Sequence, residues 1–429
     1  MPVSADSPSL AINGGDPVRT RPFTTWPIHD DAERDAVTAV AESGKWWRCA
    51  YSADELDIKS PDQLEGRSRV EAFEERFAKA HGAKYAVAVT NGTVALEIAM
   101  RAAGIQPGDE VITTPYTFIA TSLCIMNQLA VPVYTDIDPH SYNMDASQIE
   151  GLITERTKAI IPVHFAGNPC DMRAINAVAK KHELVVIEDA AHAHGVELEG
   201  QGFAGTWGDV GCFSFQESKN VATGEGGMLL TNDKRLYDMA FSLHHLGRRE
   251  GELWYKHFHQ GWNARMTELT AAIGIVQLGR LFEQNARRME NSAYLCAALA
   301  ELPGLEPCRN HPEIVKHSHH LQMLRYDADT SGRMSRDELI KALNAEGIPC
   351  LAGYTFPNYA NPFMNSEETR SRFAAAGITL PDYAAYAERC PHTERACYSE
   401  AIWLEHRLLL GDKSDMDDII AGFTKLLGK

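Results

Sequence analysis

A chain of 429 residues, 44% hydrophobic and 23% charged, has the composition of a globular protein and more length than one small core organises, which favours a large domain plus a smaller one. Its 41 basic against 58 acidic residues give a formal charge of −17, and no Lys/Arg block offers a footprint for a phosphate backbone, so nucleic acid is not an expected partner. The opening MPVSADSPSL carries neither a basic nor an apolar targeting segment, no later stretch approaches the roughly 20 apolar residues that span a bilayer, and nine scattered cysteines without paired spacing suit reduced thiols, so the expectation is a cytoplasmic protein with no membrane partner.

Residues 1–30, with Gly14, Gly15, Pro17, Pro22 and Pro27, read as an extended N-terminal arm rather than a packed element. Helices are predicted over 30–43 and over 69–81, where Val70, Phe73, Phe77 and Ala80 recur at three- and four-residue intervals. Short β-branched runs then alternate with helical stretches. Strands are expected at 84–89, 110–114, 131–137, 159–165, 183–189, 211–215 and 226–232, with helices at 93–102, 119–128 and 172–182. This alternation indicates an α/β fold, with a mainly parallel sheet between helices. A long helix from Thr267 to about Leu302 follows; beyond it HHLQMLRYDA reads as a strand and Ser335 to Glu346 as a helix. The division expected is an arm at 1–30, a large domain at 31–285 and a smaller α+β C-terminal domain at 286–429.

Three features carry chemistry. Ile187-Glu188-Asp189 ends a predicted parallel strand in a carboxylate, at the edge where open α/β sheets place their ligands. Ser214-Phe215-Gln216-Glu217-Ser218-Lys219 leaves another strand end and presents a lysine beside the glycine-permissive turn Gly224-Glu225-Gly226-Gly227. The strand at 84–89 runs through Thr90-Asn91-Gly92-Thr93 straight into a helix, so backbone N–H groups and a hydroxyl meet at a helix N-terminus, which is an anion pocket. Singly, each has an ordinary reading as a cap, a local pair or a solvated side chain. Together they fit pyridoxal phosphate, which needs a phosphate cup, a lysine amine and an acid opposite its pyridine nitrogen.

Two other patterns point elsewhere. Asp327, Asp329, Ser331, Gly332, Ser335 and Glu338 match a calcium-loop spacing, but the preceding segment reads as a strand and Ser335-x-x-Glu338 is a capping box. The groups His317, His319, His320 and His257, His259 lack the cysteine or carboxylate set of structural zinc, so no metal is expected.

Over nearly its whole length the chain resembles the DegT/DnrJ/StrS group of sugar and cyclitol aminotransferases. The resemblance runs through AINGGDPVRTRPF, SGKWWR, YAVAVTNGTVALEIA, GDEVITTPYTFIAT, AIIPVHFAGNPCDM, VIEDAAHAHG, GDVGCFSFQESKN, TGEGGMLLTND, GWNARMTELTAAIG and WLEHRLLLGD. It implies the fold type I, aspartate aminotransferase-like architecture of pyridoxal-phosphate enzymes. Lys219 would be the catalytic Schiff-base lysine and Asp189 the partner of the pyridinium nitrogen, with Phe118 on the ring and Gly92, Thr93 and Ser214 on the phosphate. Asn263 would reach the cofactor of a neighbouring subunit, so a homodimer with shared sites is implied. His192 stands where the family often has Gln, near the ring hydroxyl. Trp46, Tyr116, Tyr354 and His406 are candidates for substrate contact. The arm and the SFQESKN motif look most like the cyclitol and aminobenzoate branches, which implies a glutamine or glutamate donor and an inosose-like ketone acceptor. A nucleotide-linked keto sugar, an aminobenzoate-type dehydration and a non-catalytic cofactor-binding regulator are the alternatives.

Overall fold

The computed structural model describes residues 9–50 and 67–428. Seven of its strands form one sheet: β1 (Tyr85–Val89), β2 (Glu110–Thr113), β3 (Val131–Tyr134), β4 (Thr157–Ile161), β5 (Val185–Asp189), β6 (Val210–Ser214) and β7 (Gly227–Thr231), in the order β1-β7-β6-β5-β4-β2-β3. Strands β6, β5, β4, β2 and β3 run parallel, whereas β7 is antiparallel to both its neighbours. The alternation of strands and helices does not single out this reversal. Its cause is the short link from β6 to β7, which holds no helix, and a parallel return needs a crossover.

Helices cover both faces: α1 (Asp31–Ser43), α2 (Arg69–His81), α3 (Gly92–Ala102), α4 (Ala120–Asn127), α5 (Met172–Lys181), α6 (Lys234–His244) and α7 (Glu268–Leu299). On one face Leu96 and Ala99 of α3 and Leu236 of α6 pack on Val87, Val89 and Leu229. On the other, Phe73 and Phe77 of α2 and Leu281 of α7 meet Phe213 and Phe215. Caps set the starts where the sequence places them: Asp30 and Glu33 form a capping box on α1, and Asn91 Oδ1 accepts from Val94 N–H at 2.9 Å on α3.

A second, antiparallel sheet orders β8 (Leu305–Pro307), β9 (Leu321–Tyr326) and β10 (Ala401–Glu405) as β8-β9-β10. With α8 (Arg336–Ala345) and the final helix, Lys413–Leu427, it encloses a core of Leu324, Leu339, Ile402, Ile419 and Phe423. Helix α7 spans the expected boundary at 285–286: its first half packs on α1 and α2, and its last turns give Leu295 and Leu299 to the second core. The arm differs from expectation. From residue 9 on it makes one short turn at Ala11–Asn13 and is otherwise without regular structure up to α1, yet Leu10 and Phe23 are buried in that second core, and Arg19 is paired with Asp415 and Asp418 while lying 3.6 Å over the Phe23 ring. Two apolar side chains and a clamped guanidinium anchor what glycine and proline alone leave unspecified. No helix among the described residues is long and apolar enough to cross a membrane.

Candidate active site

Strand β5 has side chains alternating across the sheet, so its two terminal carboxylates part company. Glu188 is fully buried and accepts from His164 Nε2 at 2.9 Å and from the N–H groups of Gly205, Trp207 and Gly208 at 2.7, 2.7 and 2.5 Å. It is a structural anchor. Asp189 turns instead into a cavity of about 660 Å³ at the C-terminal edge of the sheet. Thr121 Oγ1 donates to its Oδ2 at 2.8 Å and Ala191 N–H to its Oδ1 at 3.2 Å. Burial raises the Asp189 carboxyl above its ordinary range, opposed by these hydrogen bonds and by Lys219. Thr121 carries no motif of its own in the sequence; it lies three residues beyond Phe118 in YTFIAT, in the first turn of α4, while Phe118 precedes that helix.

Lys219 enters the same cavity from the turn after β6. Burial pushes its amine down to about 8, against the upward pull of the Asp189 charge. An amine in that range is partly unprotonated near neutral pH and can act as a nucleophile or base.

Gly92, Thr93 and Ser214 also line the cavity. A Cβ added at Gly92 would stand 2.7 Å from Ser214 Cβ, and one at Gly227 would stand 2.5 Å from the Asn91 carbonyl oxygen. Only glycine lets the corner ahead of α3 press against the ends of β6 and β7. The result brings first-turn N–H groups of α3 beside the Thr93 and Ser214 hydroxyls, a cradle for an anion such as phosphate.

Phe118, 61% exposed, stands on the rim. His192 lines the wall, and its Nδ1 accepts the Ala166 N–H at 3.3 Å, which leaves its proton on Nε2. Burial, and after it the charge of Lys219, holds this imidazole well below its usual range. Burial thus favours a neutral imidazole that donates from Nε2.

The remaining candidates lie outside the cavity lining. Asn263 is exposed on the segment leading to α7. Trp46 is exposed, with its indole N–H on the Ala41 carbonyl at 3.2 Å. Tyr116 is wholly buried among Tyr142, Phe165, Tyr354 and Trp403, and its hydroxyl accepts from Trp403 Nε1 at 3.2 Å. Tyr354 belongs to the same cluster. His406 is buried behind the turn that carries Lys219. An isolated aromatic or imidazole has no sequence signal for which side of a wall it occupies.

The calcium-like loop follows strand β9, and its oxygens serve the backbone. Asp327 Oδ1 accepts from Asp329 N–H at 3.0 Å and from Thr330 N–H at 3.2 Å, while Ser335 and Glu338 form the reciprocal cap of α8.

A family model described as the DegT/DnrJ/EryC1/StrS aminotransferase family matches residues 56–423. A putative L-glutamine:3-amino-2,3-dideoxy-scyllo-inosose aminotransferase of Streptoalloteichus tenebrarius is 37% identical over 426 residues, covering 97% of each chain. An L-glutamine:2-deoxy-scyllo-inosose aminotransferase of Streptomyces kanamyceticus is 35% identical over 440 residues, covering 98% of this chain and 97% of that one. Among solved structures, 3-amino-5-hydroxybenzoic acid synthase superposes with a TM-score of 0.82 at 33% identity, covering 95% of this chain and 99% of that one.

Proposed function

The chain belongs to the DegT/DnrJ/EryC1/StrS aminotransferase family, whose cofactor is pyridoxal 5′-phosphate, and from that premise we propose that it transfers the amino group of glutamine to the ketone of a cyclitol of the inosose class. The observation that carries the reading is the convergence of Lys219, Asp189 and the N-terminus of α3 on one cavity. This donor set fits the cofactor. It offers a primary amine for the aldehyde, a buried carboxylate for the ring nitrogen, and an anion cradle that a Cβ at Gly92 would fill.

When bound, pyridoxal phosphate supplies an electron sink for the bonds broken at the amino-bearing carbon. Lys219 Nζ would hold the cofactor by its aldehyde carbon. Released by an incoming amine, the same nitrogen is placed to take the proton from the donor's carbon and to return one to the carbon being aminated. Burial, which pushes this amine down to about 8, favours its unprotonated form over that of an ordinary lysine. Asp189, positioned by Thr121, would keep a proton on the ring nitrogen; Phe118 would cover one ring face, and neutral His192 would donate Nε2–H toward the ring hydroxyl. Gly92, Thr93 and Ser214 would hold the phosphate.

Asn263 would complete the phosphate site of a second copy in a homodimer. Exposed aromatic side chains of Trp47, Trp254 and Phe258 near its segment, with Arg265 over Trp47, support that interface. A cytoplasmic location is in keeping with nine unpaired cysteines. As for the acceptor, among the described residues the cavity lining carries one cationic side chain, Lys219, beside Glu97, Asp189 and Glu225, which favours an uncharged polyol over a nucleoside diphosphate.

The test loads the protein with pyridoxamine phosphate and adds inososes, free keto sugars and nucleotide-linked keto sugars. Return of the cofactor's visible absorbance with an inosose is the expected result. A response to nucleotide-linked sugars alone would overturn the acceptor, and no response to any ketone would overturn the transfer itself.

A further inference from the structure

The turn that carries Lys219 is tied by side chains remote in sequence. Trp26 Nε1 donates to the Glu217 carbonyl at 2.7 Å, His406 Nε2 donates to the Ser218 carbonyl at 3.0 Å, and the Lys219 N–H closes on the Gln216 carbonyl at 2.8 Å. Three successive carbonyls are thus held: one by the arm, one by the residue that follows β10, and one locally. On the other side of the lysine, the Asn220 amide donates to the Ser318 carbonyl at 2.7 Å and accepts from His320 Nδ1 at 3.0 Å.

The direction of the His406 bond is imposed by Arg288. A guanidinium only donates, so its 3.1 Å contact with His406 Nδ1 makes that nitrogen an acceptor and leaves the imidazole proton on Nε2, facing Ser218. Arg288 is fully buried, and the other acceptors it meets are Asn285 Oδ1 at 3.0 Å and Gln284 Oε1 at 3.5 Å. Its Nε finds no partner among the described residues. A buried cation without a carboxylate is costly. What it supplies here is a fixed tautomer. The rings also meet in sequence, Trp26 edge-on to His406 at 4.5 Å, then His406 stacked on His320 at 5.5 Å and His320 on His192 at 4.0 Å, so a row of aromatic side chains runs from the arm to the cavity wall.

We propose that His406, together with Trp26, is a positioning residue for Lys219: by fixing the carbonyls of 217 and 218 these side chains set where the amine stands relative to Asp189, and they couple docking of the arm and the C-terminal sheet to its reactivity. The proposal rests on Lys219 being the reacting amine. It concerns placement, not contact with substrate.

The experiment measures labelling of cofactor-free protein by trinitrobenzenesulfonate, with the rate at Lys219 and at the exposed Lys234 read by peptide mass spectrometry. Circular dichroism checks the fold, and the rate of the glutamine half-reaction is measured on loaded protein. In His406→Ala the Lys219 labelling rate is expected to change at least about threefold while Lys234 does not, and the half-reaction to slow about tenfold with little change in the glutamine concentration at half-maximal rate. His406→Gln, which restores an N–H near the position of Nε2, should recover most of both. Unchanged Lys219 labelling in folded His406→Ala, or a Gln variant as impaired as the Ala variant, overturns the proposal. Should His406→Ala not fold, Trp26→Phe, which removes one N–H and keeps a ring, gives the same readout: altered labelling supports the proposal and unaltered labelling defeats it. Labelling that responds in a protein whose wild type captures no cofactor on Lys219 would uphold the placement while defeating the functional reading.

Discussion

The two sides of the cavity are built in opposite ways. The side bearing Asp189, Gly92, Thr93 and Ser214 comes from the ends of neighbouring strands, each carrying its functional residue within a few positions of the element that places it. The side behind Lys219 is assembled from Trp26, Arg288, His320 and His406, brought together from the arm, a long helix and a separate sheet. The first side can be read from local motifs. The second exists only once the chain has folded, and it decides how firmly the lysine is held.

The sharpest break of this contrast is Lys219→Ala. It should abolish the cofactor's visible absorbance in the loaded protein and lower turnover by about a thousandfold or more, measured as keto-acid release from glutamine. Next come the adjacent carboxylates of β5. Asp189→Asn should slow turnover about a hundredfold with a melting temperature close to the parent's, because it removes charge opposite the ring. Glu188→Ala should instead destabilise the fold by about 3 kcal/mol in urea titration, since three backbone N–H groups and His164 lose their acceptor. Equal effects of the two substitutions on rate would erase the distinction between site and scaffold.

Gly92→Ala should weaken pyridoxal phosphate binding about tenfold in a fluorescence titration, because the new methyl group meets Ser214 at the anion cradle. The smallest effect is one of pH. Cofactor capture needs the unprotonated Lys219 amine, so the capture rate should rise as pH increases through about 8 and level off above it. A rate still climbing at pH 10 would mean an amine that burial has not shifted.

Much of the large sheet is legible in the sequence because β-branched runs alternating with amphipathic helices can pack in few ways. The strands found start or end within a few residues of those expected. What escaped was set by connection length and by long-range contact. Residues 226–232 look like any buried strand, and the missing helix before them makes β7 antiparallel. No element was expected between 350 and 400, where short turns and a helix at Glu367–Ala375 seat Tyr359, Tyr383 and Tyr386 against Tyr134. Within the site, the motifs picked out Lys219 and Asp189, but nothing in Glu188-Asp189 says which carboxylate faces the cavity until the strand's pleat is fixed. His406 and Tyr116 carried a plausible chemistry for substrate contact, and burial moves both behind the wall.

The bond between Lys219 and the cofactor is tested by reducing the protein with borohydride in the presence of pyridoxal phosphate, then mapping the modified peptide by mass spectrometry. A single phosphopyridoxyl adduct is expected, on Lys219. An adduct on another lysine with position 219 untouched, or no adduct at all, would contradict it.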